Sequence, residues 1–448
     1  MQLTHALRVQ SKEIIAFVGG GGKTTSMFRL ADELIASGKH VVVTTTTKLG
    51  AAQVAGRGGV TPPLHYADSR DFRARVQNAL AQTARALIIG EDGEDDKVAG
   101  VSPEFIDELA ARADVDVVIY EADGARGLPF KAPAAHEPVL AASTTLLVPV
   151  LGVTALGAPL DDAHAQRAAI AARLADAPSG APITPQLAAR VLAHRAGGLK
   201  NKPRTARAIV LVNQVENDAH LDAARDLARA LLDHAAIDAV ALGAVSDAQN
   251  PVRETHRRVA AIVLAAGAST RMNGRIKQLL SWRGKTLIEN AAELATQSHA
   301  HATIVVLGAH ADVIRPLLEK TRARLVFNPQ WEGGHSTSIR AGLNALAPEI
   351  AAAVFINADQ PFLTRAVIDA LIQRYRETDA PIIASIFAGK RGSPVLFDRA
   401  HFAELKDLRG EQGGRELLAK HPVTRVEFDD ARLGIDVDTW QEYEKWKE

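Results

Sequence analysis

The sequence predicts two α/β domains, each a mostly parallel sheet with helices on its faces. Three observations predict it. A strand-like run, Ile14-Ile15-Ala16-Phe17-Val18, meets four glycines and Lys23-Thr24-Thr25 before an amphipathic helical segment. A second run, Ile262-Val263-Leu264, enters Ala265-Ala266-Gly267 and then Arg271 and Lys277. After each string, short Val-, Ile- and Leu-rich runs alternate with helical patterns, the order of a buried parallel sheet. A chain of 448 residues is too long for one ordinary core, so two or three domains are expected.

Composition narrows the class. Hydrophobic residues make up 47% and charged residues 23%, the balance of a globular protein in water. Lys+Arg and Asp+Glu both number 52, so no overall field favours nucleic acid or an anionic membrane, and neither is expected as a partner. No apolar run approaches the roughly 20 residues of a membrane span. Residues 1–13 lack the apolar centre of a secretory signal, so a cytoplasmic protein is the simplest expectation. Cysteine is absent, which excludes disulfides, thiolate metal sites and a cysteine nucleophile.

The first domain is expected over residues 1–250. Gly19, Gly20, Gly21 and Gly22, then Lys23, Thr24 and Thr25 opening a helix, give the order of a phosphate-binding loop. Lys23 would reach the outer phosphates of ATP or GTP, and the Thr24 hydroxyl would sit on Mg²⁺. The full pattern asks for glycine six positions before the lysine, where Phe17 stands, so the loop is a P-loop-like variant. A plain flexible turn is the competing reading. The run Val41–Val43 leads to Thr44–Thr47 and Lys48, hydroxyls and a lysine at a strand's carboxyl end. Residues 56–67 read as loop and 91–96 as an acidic turn. The strand Val115–Tyr120 delivers Glu121 and Asp123, both candidates to manage Mg²⁺ or an attacking water, with Arg126 and Lys131 beside them. Asn213-Gln214-Val215-Glu216 follows another strand; it stands where many phosphate-loop proteins read a base, but leaves base identity open. A linker is expected at 247–258.

This half resembles the YqeC-type family of selenium-dependent molybdenum hydroxylase accessory proteins over most of residues 10–245. The resemblance rests on Phe17 through Thr25, on Thr44 to Lys48, and on Glu121-Ala122-Asp123-Gly124-Ala125-Arg126-Gly127-Leu128-Pro129 with Lys131-Ala132-Pro133 and His136-Glu137-Pro138. It implies a nucleotide-linked maturation role with a molybdenum hydroxylase as client.

The second domain is expected over residues 259–448. Leu264, Ala265, Ala266 and Gly267 make a tight, side-chain-poor loop that lets backbone N–H groups approach a triphosphate or a base edge. Arg271 and Lys277 supply positive charge where phosphate charge develops. After Asn328 and Trp331, the stretch Gly333-Gly334-His335-Ser336-Thr337-Ser338 opens a helix, where Ser336 and Ser338 either meet a ligand or only cap. Asp359, at a strand end before Gln360-Pro361, suits a hard cation bridging phosphates. Gly392, Ser393 and Pro394 read as a close-approach loop before a strand. Asp436 and Asp438 are expected on one face of a short strand, and a second carboxylate would join Asp359 on Mg²⁺, Asp438 first.

Together these residues resemble the MobA-like nucleotidyltransferases, most closely the molybdenum cofactor cytidylyltransferases of the MocA type, over residues 259–448. Two departures stand out. Asn273-Gly274-Arg275-Ile276 adds one residue between Arg271 and Lys277, and Gly410-Glu411-Gln412-Gly413-Gly414-Arg415 replaces the family's Gly-Asp-x-Gly-Ala-Arg. The resemblance implies a Rossmann-like nucleotidyltransferase domain and Mg²⁺-dependent transfer of CMP from CTP to molybdopterin, with release of pyrophosphate. It gives Arg271, Lys277 and Asp359 the catalytic roles, puts Ala265 and Ala266 in the base pocket, and sets residues 391–394 near the pterin. Ala266, where guanylyl enzymes usually carry Gly, points to CTP. GTP as donor, a different phosphate acceptor, and a non-catalytic carrier of the cofactor remain the alternatives.

Overall fold

Alternate residues of the first strand enter different apolar cores. Ile14, Ala16 and Val18 of β1 (Glu13–Gly19) join one, and Ile15 and Phe17 join another. A strand buried on both faces is what an unbroken apolar run encodes. The structure, a computed structural model, describes residues 1–50, 62–66, 70–90 and 97–447. The chain divides into two units, Met1–His256 and Arg257–Glu448. Part of the expected loop at 56–67 and all of the expected acidic turn at 91–96 lie outside the described residues.

Among its described residues the first unit has a nine-stranded sheet. Its strands are β1, β2 (Val41–Thr45), β3 (Leu64–His65), β4 (Arg85–Ile89), β5 (Val117–Glu121), β6 (Leu146–Gly152), β7 (Arg207–Asn213), β8 (Ala239–Gly243) and β9 (Val252–His256). The order is β9-β8-β7-β6-β1-β5-β2-β4-β3, and all pairings are parallel except β8 with β9. β9 corrects the sequence reading, which expected a linker there. Its Thr255 and His256 are buried, and Met1 exchanges hydrogen bonds with Val252, so polar composition misled. β1 is central, and α1 (Lys23–Ala36) leaves its carboxyl end through the four glycines. The ends of β1, β5, β2 and β7 therefore gather Gly19–Thr25, Glu121, Thr44 and Asn213 at one edge of the sheet.

The second unit is a seven-stranded mixed sheet. Its strands are β10 (Val259–Ala265), β11 (Ala302–Leu307), β12 (Arg324–Phe327), β13 (Ala352–Asn357), β14 (Ile382–Phe387), β15 (Lys390–Asp398) and β16 (Thr424–Phe428). The order is β12-β11-β10-β13-β15-β14-β16, with β15 antiparallel to both neighbours. β10 again feeds two cores, Val259, Ala261 and Val263 on one face and Ile262 on the other. Its carboxyl end and that of β13 lie side by side, Leu264 opposite Asn357.

Two expectations fail in this unit. Residues 391–394 are not a loop but part of β15. Gly392 is needed because a Cβ there would stand 2.9 Å from the Phe387 ring. Pro394 is tolerated inside the sheet because it falls at a register break, where Ser385 Oγ donates to its carbonyl at 2.8 Å. Asp436 and Asp438 are not on a strand either. They flank buried Val437, whose N–H donates to Asp359 O at 3.0 Å, in the segment leading to α6 (Trp440–Trp446), the last helix. Among the described residues no helix is long and apolar enough to cross a membrane.

Candidate functional site

In the second unit a cleft of about 400 Å³ opens where β10 and β13 end. Leu264, Ala265, Ala266 and Gly267 form one side. Asn357 and Asp359, Lys277 and Gln278, and Trp331, His335, Ser338 and Glu411 complete it. The loop after β10 is tied back to its own strand. Buried Gln278 donates to Ala265 O at 3.2 Å and Gly267 O at 2.9 Å, and accepts from Ser269 Oγ at 2.9 Å. Ser269 Oγ in turn accepts the Lys277 N–H at 3.0 Å. This tether returns Lys277 to the strand ends.

Lys277 Nζ then lies 2.6 Å from Asp359 Oδ2 and 3.0 Å from Asp438 Oδ1. Burial opposes its charge, but Asp359 and Asp438 outweigh that and hold its pKa above the ordinary value. Asp359 Oδ1 is buried with no hydrogen-bond partner. Burial pushes the Asp436 carboxyl up to about 7, and the Asp359 and Asp438 charges add to it. The side chain still reaches solvent, so this charge crowding is the part a cation would relieve. The donor set is all oxygen, with an orphaned carboxylate atom among it, and so fits a hard dication such as Mg²⁺. Lys277 stands between Asp359 and Asp438, so a cation shared by these two carboxylates would take the place of the ammonium.

The capping box of α6 fixes the Asp438 backbone. Glu442 Oε2 accepts the N–H groups of Asp438 and Thr439, both at 2.9 Å. Ser338 lines the cleft, whereas Ser336 is buried behind it with an unpartnered Oγ. Burial lowers the pKa of His335, against the opposing pull of Glu411 and Asp359, which favours a neutral imidazole at the cleft wall. Arg271 is exposed and does not line the cleft, nor do Gly392, Ser393 and Pro394. The link of that stretch to the site is indirect: Gln360 Nε2 donates to Ser393 O at 3.0 Å. Gln278, Asn357, His335 and Glu411 were not singled out as site residues. A glutamine directly after the lysine was the available signal for the first.

In the first unit the expected phosphate loop is built differently. The Gly20 and Gly21 N–H groups donate to Val150 O at 2.9 Å and Leu128 O at 3.0 Å, and the Gly19 N–H meets the Asp123 carboxylate at 3.1 Å. Gly21 has φ +83°, and a Cβ there would lie 2.0 Å from Gly152 N, so its smallness serves packing inside the protein. Lys23 folds back onto Gly19 O at 2.7 Å, Asp123 at 3.2 Å and Glu121 at 3.4 Å. Burial opposes the Lys23 charge, and Asp123 and Glu121 override it, raising its pKa. The chain of ions continues through Lys131 to Asp123 at 3.0 Å and Glu137 at 2.8 Å, and through Arg167 to Glu137 at 2.9 Å.

Both Asp123 oxygens are thus occupied. Thr24 Oγ1 instead donates to Glu121 Oε2 at 2.7 Å, so Glu121 is better placed than Asp123 to share a cation with Thr24. Asn213 is tied to the loop. Its amide donates to Gly21 O at 2.8 Å and accepts from Val245 N at 3.0 Å, clamping the loop. Gly22 and Thr25 are the exposed part of the loop.

A cleft at the ends of parallel strands, lined by carboxylates and a lysine, is where an α/β sheet binds a small ligand, and sequence comparison gives the class, a nucleotidyltransferase. The MobA-like NTP transferase domain matches residues 261–426 and the YqeC protein family matches residues 15–169. The uncharacterized protein YqeC of Escherichia coli (strain K12) is 30% identical over 236 residues, 52% of this chain and 88% of that protein. The nicotine blue oxidoreductase of Paenarthrobacter nicotinovorans is 30% identical over 194 residues, 40% of this chain and 92% of that protein. A crystal structure of Rv0371c from Mycobacterium tuberculosis H37Rv is similar to 42% of this chain and 97% of its own, at 29% identity and a TM-score of 0.39. The chain belongs to the YqeC family through its first unit and carries a MobA-like NTP transferase domain as its second.

Proposed function

We propose that the second unit transfers CMP from CTP to the phosphate of molybdopterin, with Mg²⁺, and releases pyrophosphate. The observation that carries the reading is Lys277 held between Asp359 and Asp438 at the floor of a cleft walled by Leu264–Gly267. An acceptor phosphate oxygen attacks the α-phosphorus, the bond to the β-phosphate oxygen breaks, and pyrophosphate leaves. Positioning and charge neutralisation supply the rate in such transfers. Asp359 with Asp438 or Asp436 would hold Mg²⁺, which would supply positive charge against the phosphates in the transfer. Lys277, displaced from the carboxylates, neutralises the triphosphate. Ala265 and Ala266 line the base side without bulk, and Ala266 favours cytosine. Gln278 holds this loop to its strand.

The first unit would bind ATP or GTP at Gly22–Thr25, with Thr24 and Glu121 on a cation, and assist delivery of the cofactor to a molybdenum hydroxylase in the cytoplasm. Lys23 must leave Asp123 and Glu121 to reach a phosphate. A second reading, an oxidoreductase activity, is favoured by the nicotine blue oxidoreductase relative. The cleft's carboxylates and lysine have no evident part in hydride transfer.

The test supplies purified chain with Mg²⁺, molybdopterin, and CTP or GTP in parallel, and identifies the product by mass. The cytosine dinucleotide form of the cofactor is the expected product. A guanine product would reassign the donor, and oxidation of a nicotinamide dinucleotide without pyrophosphate release would favour the second reading. An Asp359→Ala chain that still fully supports hydroxylase maturation would favour a carrier.

A further inference from the structure

Outside the cleft, one other group of side chains among the described residues has the composition of a metal site. His401, Glu404 and His421 of the second unit bring two imidazoles and a carboxylate together, their donor atoms all within 4.8 Å of one another. His421 Nε2 lies 2.7 Å and His401 Nδ1 3.7 Å from the same oxygen, Glu404 Oε2. The two rings stand 4.5 Å apart, centre to centre, at 56°. All three residues are half-buried, and Lys420, the other charge nearby, reaches only the second oxygen, at 3.9 Å. That exposed pair contributes little.

We propose that these three residues bind a transition-metal dication of the Zn²⁺ type. The donor set selects the class. Imidazole nitrogen suits Zn²⁺ and its neighbours, whereas Mg²⁺ and Ca²⁺ prefer oxygen alone. Ligand atoms on a tetrahedral zinc stand about 3.4 Å apart, from bonds of about 2.0–2.1 Å. The two distances to Glu404 Oε2, 2.7 and 3.7 Å, straddle that value, so closing the site takes side-chain rotations and no backbone rearrangement. Three protein ligands leave a fourth position to water, which the partial exposure allows.

The consequence lies in what the metal would join. Glu404 is in α4 (Phe402–Asp407) and His421 directly follows α5 (Arg415–Lys420), and both helices have only six residues. Helices this short are marginal without tertiary ties. The turn between them forms part of the cleft wall. Gly410 O accepts the Ser336 N–H at 3.0 Å, and Glu411 lines the cleft. On the far side Arg340 donates to Lys406 O at 3.0 Å and Leu408 O at 2.9 Å. A metal at His401, Glu404 and His421 closes this hairpin at its base and steadies the Gly410–Glu411 wall.

The test uses the full chain stripped with chelator, and Zn²⁺ and Co²⁺ as probes. One Zn²⁺ per chain and visible Co²⁺ absorption are expected in wild type and in Asp359→Asn, which separates this site from the cleft. His421→Gln, His401→Gln and Glu404→Gln are each expected to weaken Zn²⁺ binding at least about tenfold. Zn²⁺ should raise the Tm of wild type but not of His421→Gln, whose metal-free circular dichroism should match metal-free wild type. If His421→Gln does not fold, His401→Gln makes the same comparison. A wild-type chain that retains no Zn²⁺, or a folded histidine variant that binds it as tightly, would overturn the proposal.

Discussion

Lys277 and Asp359 are the two residues on which the proposed chemistry turns. Asp359→Asn should lower pyrophosphate release by about 10²–10³-fold, the usual loss when one charge-stabilising group is removed. Lys277→Met makes a sharper prediction, because its ammonium now stands between Asp359 and Asp438. Activity should fall by a similar factor while Mg²⁺ binds more tightly than in wild type, since the competing cation is gone; a calorimetric Mg²⁺ titration reads this. Weaker Mg²⁺ binding in Lys277→Met would mean that Lys277 does not occupy the metal position. Both residues were legible in the sequence, since a carboxylate after a buried strand and a lysine after a side-chain-poor loop have few other uses there. The glycine loop was legible only as a loop. Which atoms fill the space of a missing Cβ is a tertiary fact, and at Gly21 the answer is the backbone of Gly152.

At the scale of elements, β10, β13 and β15 were found or missed for one reason. Apolar runs such as Ile262–Leu264 and Ala353–Ile356 declare themselves. Residues Arg391–Pro394, with glycine and proline, read as loop although they pair on the sheet, because Phe387 requires the glycine and the register break absorbs the proline. Gly392→Ala tests the difference. Overpacking against Phe387 should cost about 1–3 kcal/mol of stability and leave the acceptor KM near wild type. A raised acceptor KM with an unchanged Tm would return this stretch to the substrate. The last helix makes a second case. Thr439→Ala removes the cap of α6 and should cost about 1 kcal/mol. By loosening the Asp438 backbone it should also raise the Mg²⁺ concentration needed for half-maximal activity.

Over the whole molecule, two αβ alternations, each opened by a strand and a small-residue loop, made the two-unit plan readable. The boundary was less so. Residues 252–256 are polar, yet they form β9, and Arg225 pairs with Glu254 across it at 3.1 Å. A fragment of residues 1–256 should therefore melt higher than one of residues 1–250, which lacks the edge strand. Thermal unfolding of the two fragments checks this. Residues 257–448 have their own sheet and cores, and alone should keep the transferase activity.

The most direct measurement is pyrophosphate release by the full chain with Mg²⁺, molybdopterin and CTP, alongside Asp359→Ala and Lys23→Ala. The account predicts release that Asp359→Ala abolishes and Lys23→Ala preserves. No release from well-folded protein with authentic cofactor and either CTP or GTP, or release untouched by Asp359→Ala, would contradict it.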